Sequence, residues 1–160
     1  MRREAFERLY AEHAEPLLAF LIYRTADREL AADIHSDTFE RVLTARARFD
    51  PRKASEKTWL YTIALNKLRD HYRRKAAEGR ALERVAAGPG DPRPHLDQFE
   101  ERDALLRGLE GLSEEEREAV ALRYGADLSI REIAAVAGTR QPAIKGRLHR
   151  GLQKLREELG

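Results

Sequence analysis

The 160-residue sequence has no cysteine, which excludes disulfides and thiolate metal sites and fits a reducing compartment. No apolar run approaches the roughly 18 residues that a bilayer span requires, so no membrane insertion is expected. The opening MRREAFERLY is mixed in charge and amphipathic, unlike a signal peptide. Strand patterns are nearly absent. The five histidines, His13, His35, His71, His95 and His149, are scattered without metal-ligand spacing. Glycine-rich phosphate loops, nucleophile elbows and framed acid pairs are also missing. The expectation is a soluble cytoplasmic protein that is not an enzyme, uses no cofactor and binds no metal.

What the sequence does have is charge, on 36 % of residues, beside 42 % hydrophobic residues that can build a core. The net charge of +2 averages over opposed blocks. Residues 1–40 carry −4, 41–75 carry +8, 76–85 balance, 86–120 carry −6 and 121–160 carry +4. Two basic patches separated by an acidic stretch suggest two contacts with a polyanion.

Helical spacing recurs along the chain. Phe6, Leu9, Tyr10, Leu17, Leu18 and Leu21 mark a first helix, which Pro16 is expected to kink or divide. Leu30, Ile34, Val42 and Leu43 mark a second, with Asp27 as its candidate cap. After the charged loop FDPRKASEK (49–57), a third helix is expected from about Thr58 past Lys75, with Leu60, Ile63, Ala64 and Leu68 on its apolar side. Residues 86–97 hold three of the six prolines and two glycines, a composition that reads as a flexible linker. The predicted fold is all-α, with two small helical domains, 1–85 and 98–160, joined by that linker. Capping boxes at Ser113/Glu116 and Ser129/Glu132 mark helix starts among four helices in the second domain.

Residues 129–158, SIREIAAVAGTRQPAIKGRLHRGLQKLREE, read as a helix-turn-helix. A short apolar-faced helix stops at Gly138, suited to a left-handed turn position, and Pro142 fits the first turn of the next helix. That helix carries Ile144, Leu148, Leu152 and Leu155 on one stripe, with Arg140, Lys145, Arg147, Arg150, Lys154 and Arg156 outside it. Such a basic second helix suits the major groove of duplex DNA, where Arg140, Gln141 and Lys145 could reach base edges and Arg147 and Arg150 phosphates. Gly146 inside it is unusual and suggests close approach of a backbone or phosphate.

Trp59, Thr62, Asn66, Arg69 and Arg73 follow spacings of 3, 4, 3 and 4 and so share one helix face. An indole, a hydroxyl, an amide and two guanidiniums can stack on a base and grip a strand; the plain alternative is that the tryptophan is core. On residues alone, an operator-binding regulator and a protein-binding module that never touches DNA also remain open.

Three segments, in order, resemble one family. TWLYTIALNKLRDHYRR (58–74) is similar to the promoter-melting segment of bacterial RNA polymerase sigma factors of the sigma-70 family, extracytoplasmic-function (ECF) group. AADIHSDTFERV (31–42) resembles their polymerase-binding segment, and residues 128–156 resemble their carboxy-terminal DNA-reading region. The resemblance implies a cytoplasmic, nucleoid-associated protein with RNA polymerase core (beta-prime and beta subunits), promoter DNA and an anti-sigma factor as partners. It implies that Asp33, Asp37 and Phe39 contact core, and that loop 49–57 with Trp59 and Asn66 takes a flipped base of the −10 element. The helix from Gln141 would read the −35 element. Leu65 stands where the family often has arginine, implying one phosphate contact fewer.

Overall fold

The computed structural model describes residues 2–83 and 103–159, so the expected linker 86–97 lies outside the described residues. Seven α-helices follow one another: α1 (Arg3–Thr25), α2 (Arg28–Ala45), α3 (Glu56–Glu83), α4 (Asp103–Glu110), α5 (Glu114–Val120), α6 (Ile130–Ala137) and α7 (Gln141–Leu159). A 3-10 turn, Arg46–Arg48, follows α2, and a π turn, Ala121–Gly125, continues α5. The described residues are thus all-α, as expected.

Local chemistry accounts for the boundaries. Asp27 caps α2 by accepting the Leu30 N–H at 3.1 Å. Ser113 and Ser129 each accept the N–H of Glu116 and Glu132, and each glutamate returns to the serine N–H, so both capping boxes form. The third helix starts at Glu56, two residues before the expected Thr58, because the Ser55 hydroxyl accepts the Thr58 N–H at 3.1 Å. Pro16 neither ends nor divides α1. Pro16 and Glu12, the residue whose carbonyl a proline four positions later leaves without an N–H, both lie on the exposed side of α1.

Helices α1, α2 and α3 bury Leu9, Leu17, Phe20 and Leu21 against Ile34 and Val42 and against Leu60, Tyr61, Ala64, Leu65 and Leu68. Ile63 of the expected stripe is only partly buried. Leu65 is fully buried, on the side of α3 that faces α1 and α2. In the second half, α4, α5 and α6 each pack on α7 around Leu112, Val120, Ile133, Val136, Ile144, Leu148 and Leu155. Leu152 is only partly buried.

The halves also meet each other. The π turn packs on α1, and α6 packs on α3, so the buried side chains of both join one continuous apolar cluster. Each fully buried leucine contributes about 1.5–3 kcal/mol from the area it removes from water.

Tyr61 stands edge-on to Phe20 in this core, ring centroids 5.3 Å apart. Its hydroxyl has no hydrogen-bond partner among the described residues, and burial pushes its pKa up to about 12. A buried unpaired hydroxyl is a net cost, so Tyr61→Phe should raise stability by about 1 kcal/mol in denaturant melts. An unchanged or lowered midpoint would mean that the hydroxyl is satisfied in solution.

Candidate nucleic-acid interface

The turn between α6 and α7 fixes how α7 is offered to a ligand. Gly138 takes φ +69° and its N–H bonds to the Ala134 carbonyl, which stops α6 after two turns. Gln141 and Pro142 then open α7, where the missing proline N–H leaves no bond unmade. Ile144, Leu148 and Leu155 face inward. Gly151 is pressed against α5: a Cβ there would lie 2.9 Å from Cγ2 of Val120.

Arg140, Gln141 and Lys145 are exposed, and their side chains make no hydrogen bond or ion pair among the described residues. The basic stripe does not continue free along the helix. Arg147 is turned inward, its side chain 18 % exposed, with Nε 3.6 Å from Oε2 of Glu115. Arg150 Nε lies 3.5 Å from Oε2 of Glu116. The space over Gly146 is filled by Nη1 of Arg150, 3.1 Å from where a Cβ would stand, so an arginine of the same helix occupies the approach expected for a backbone or phosphate.

Glu116 organises this side of α7. Its Oε1 accepts Lys154 Nζ at 2.7 Å and the Ser113 N–H at 3.0 Å, while Oε2 faces Arg150. The hydrogen bond from Lys154, then that from Ser113, outweighs burial and brings its pKa down to about 2. The capping box was legible in the sequence, but the second task of Glu116 was not. Arg150 and Lys154, four residues apart, share one face of α7; which acid meets them depends on how α5 crosses α7.

On α3, Trp59 is half-buried against the core, its ring 5.0 Å from that of Phe49. Thr62 donates to the Thr58 carbonyl at 2.8 Å, and Asn66 is exposed. Arg69 reaches Oδ1 of Asn66 at 3.5 Å, and Arg73 pairs with Asp70. The five residues share a face, as their spacing requires. Leading into α3, Asp50 forms a tight turn, its Oδ1 accepting the Arg52 N–H at 2.9 Å.

On α2, Asp33 and Asp37 are exposed. Phe39 is packed inward at 6 % exposure, edge-on to Tyr10 at 4.8 Å and to His35 at 5.0 Å. The aromatic that reaches solvent there is Tyr10, 48 % exposed. A groove of about 680 Å³ between α2 and α3 brings Asp37 and Glu40 beside Lys67 and Arg73. Among the described residues no helix is long and apolar enough to cross a membrane, and no cluster of His, Asp and Glu could hold a metal ion.

Comparison with known proteins assigns both halves. Residues 9–78 match the family described as Sigma-70 region 2, and residues 102–155 match Sigma-70, region 4. The chain is 36 % identical to RNA polymerase sigma factor CarQ of Myxococcus xanthus, over 99 % of this chain and 91 % of that protein. Its fold matches the sigma factor RpoE of Bartonella quintana in complex with the anti-sigma factor NepR, with TM-score 0.81, 25 % identity and coverage of 98 % and 97 % of the two chains. It also matches CnrH in complex with the cytosolic domain of CnrY, with TM-score 0.76, 28 % identity and coverage of 99 % and 89 %.

Because Glu116 is held near pKa 2 in the folded chain against 4.5 ordinarily, its contribution is fully present above pH 4.5. It is lost as pH falls through the folded value. Glu116→Gln should therefore lower stability by about 1–3 kcal/mol at pH 7 and flatten the loss of stability between pH 4.5 and 2. Urea melts at stepped pH test this, and parallel curves for the two proteins would refute it.

Proposed function

The chain belongs to the sigma-70 family of RNA polymerase sigma factors, ECF group, and on that premise we propose how its residues divide the work. A sigma factor binds core polymerase and confers promoter recognition, leaving catalysis to the polymerase.

Residues 98–160 read duplex DNA of the −35 element with the first turns of α7. The observation that carries this reading is that Arg140, Gln141 and Lys145 stand exposed with unpaired side chains directly after the α6–α7 turn. Bidentate contacts to base edges are worth about 1–3 kcal/mol each in discrimination. Arg147 and Arg150 take a lesser part in DNA contact, since Glu115 and Glu116 already engage them.

Residues 1–85 hold the polymerase through Asp33 and Asp37, with Phe39 supporting the surface from beneath. The α3 stripe, Trp59, Thr62, Asn66, Arg69 and Arg73, receives the melting −10 element, with the preceding loop cupping a flipped base. Unstacking costs a few kcal/mol per step. Stacking on an aromatic returns about 1–3 kcal/mol per base, so anchoring by α7 and by core supplies the rest. An anti-sigma factor is the expected regulator; that a relative of the same fold is bound to one supports this.

Run-off transcription with purified core tests the reading: a promoter-specific transcript should need the chain, and its absence would overturn the proposal. Trp59→Ala should leave duplex binding intact and abolish strand opening seen by permanganate. Equal loss of both would place Trp59 in the core alone. Whether it meets a base edge or a phosphate, Lys145 brings one cation to the DNA, so Lys145→Ala should reduce the slope of log affinity against log salt by up to about 0.9. Arg150→Ala should change the slope less, and the reverse order would show that Glu116 releases Arg150 to DNA.

A further inference from the structure

A polar contact joins α1 to α2 at a place where neither helix needs it to fill the core. His35 of α2 has Nε2 2.7 Å from the carbonyl oxygen of Ala14 in α1. A carbonyl oxygen only accepts, so Nε2 carries the proton and donates it. One turn further along α2, Phe39 stands edge-on to His35, ring centroids 5.0 Å apart. One turn back along α1, Tyr10 stands edge-on to Phe39 at 4.8 Å. His35 with Ala14 and Phe39 with Tyr10 are thus successive rungs between antiparallel helices, and the same step brings Leu43 level with Phe6.

The rungs follow the solvent edge of this helix pair. Ala14 and His35 are half-buried, while Tyr10 and Leu43 are 48 % and 45 % exposed. The exposed carboxylates Asp33 and Asp37 lie two residues to either side of His35.

We propose that His35 is a positioning residue for polymerase binding: its bond to Ala14 fixes how α2 is set on α1, and so where Asp33 and Asp37 stand. The proposal rests on the sigma-factor reading, in which those two aspartates meet core. Apolar contact is non-directional, so buried side chains resist a small slide or rotation of α2 less than a directed bond does. Edge-on rings likewise keep their attraction over centroid separations of about 4.5–7 Å. A hydrogen bond weakens steeply once its angle is bent, so the His35 bond selects one setting among close neighbours. Because the same ring abuts Phe39, that setting passes to the rung that carries Tyr10.

Two substitutions in the full chain separate the bond from the ring. His35→Phe keeps a ring beside Phe39 and removes the donor, whereas His35→Gln removes the ring and keeps an N–H donor. In equilibrium binding to purified core polymerase, His35→Phe should weaken affinity about tenfold, the net worth of one hydrogen bond. His35→Gln should restore most of that loss. A merely structural residue would leave the contribution of Asp37 untouched. Positioning predicts coupling instead, so Asp37→Asn should cost less affinity in the His35→Phe chain than in the unaltered one.

Nitrogen NMR of the unaltered chain tests the bond without reliance on the folding of any variant, and should show His35 protonated at Nε2. A proton on Nδ1 alone would overturn the bond. Equal losses in His35→Phe and His35→Gln would assign the effect to the ring and overturn the proposal. Undiminished affinity of His35→Phe, or losses that simply add to those of Asp37→Asn, would overturn the positioning. Each of these failures leaves run-off transcription by the unaltered chain intact. An unaltered chain that binds no core would instead defeat the sigma-factor reading, and the proposal with it.

Discussion

The carboxylate of Glu116 is the interaction on which the DNA-reading half depends. It begins α5 by taking the Ser113 N–H, and it holds α7 by taking Lys154 and facing Arg150. A recognition helix has conflicting requirements: cations for DNA, and a fixed seat on its own domain. Here the conflict is resolved along the length of α7. Its far turns use their cations to seat the helix, and its first turns keep Arg140 and Lys145 exposed. A count of basic residues along α7 therefore overstates what the helix can give to phosphates.

Helix α3 is shared in another way. One side buries Leu60, Tyr61, Ala64, Leu65 and Leu68 against α1 and α2. Another offers Trp59 and Asn66, and its edge receives the carboxy-terminal half through Thr58 and Arg69. A 28-residue helix has surface enough for these tasks, because 3.6 residues per turn separate them by rotation alone. Rigid burial on one side is what fixes the direction of the other two.

Local and periodic features were legible in the sequence. Both capping boxes, the Asp27 cap, the stop at Gly138 and the shared face of Trp59 to Arg73 follow from spacing and from side-chain chemistry within a few residues. What distant partners decide was not legible. Phe39 packs under Tyr10, Arg147 and Arg150 face acids of α5, and Leu65 faces the core. Pro16 does not divide α1, because the apolar residues on either side of it, Leu9, Leu17, Phe20 and Leu21, are buried in one core. Glu118 was illegible altogether: its partners, Arg24 and Arg69, lie 94 and 49 residues earlier, and no period in the chain links them.

Gly151 brings α7 onto α5 as closely as a backbone without a Cβ permits. The contact lies nearly three turns from Gln141 at the exposed start of the helix and about a third of a turn round from Lys145. With base reading by Gln141 and Lys145 as proposed, substitutions there would alter which bases are preferred while the seat stays in register. That separation would let a lineage of duplicated copies acquire new promoter repertoires by changing a few outward residues, without refolding the domain that presents them.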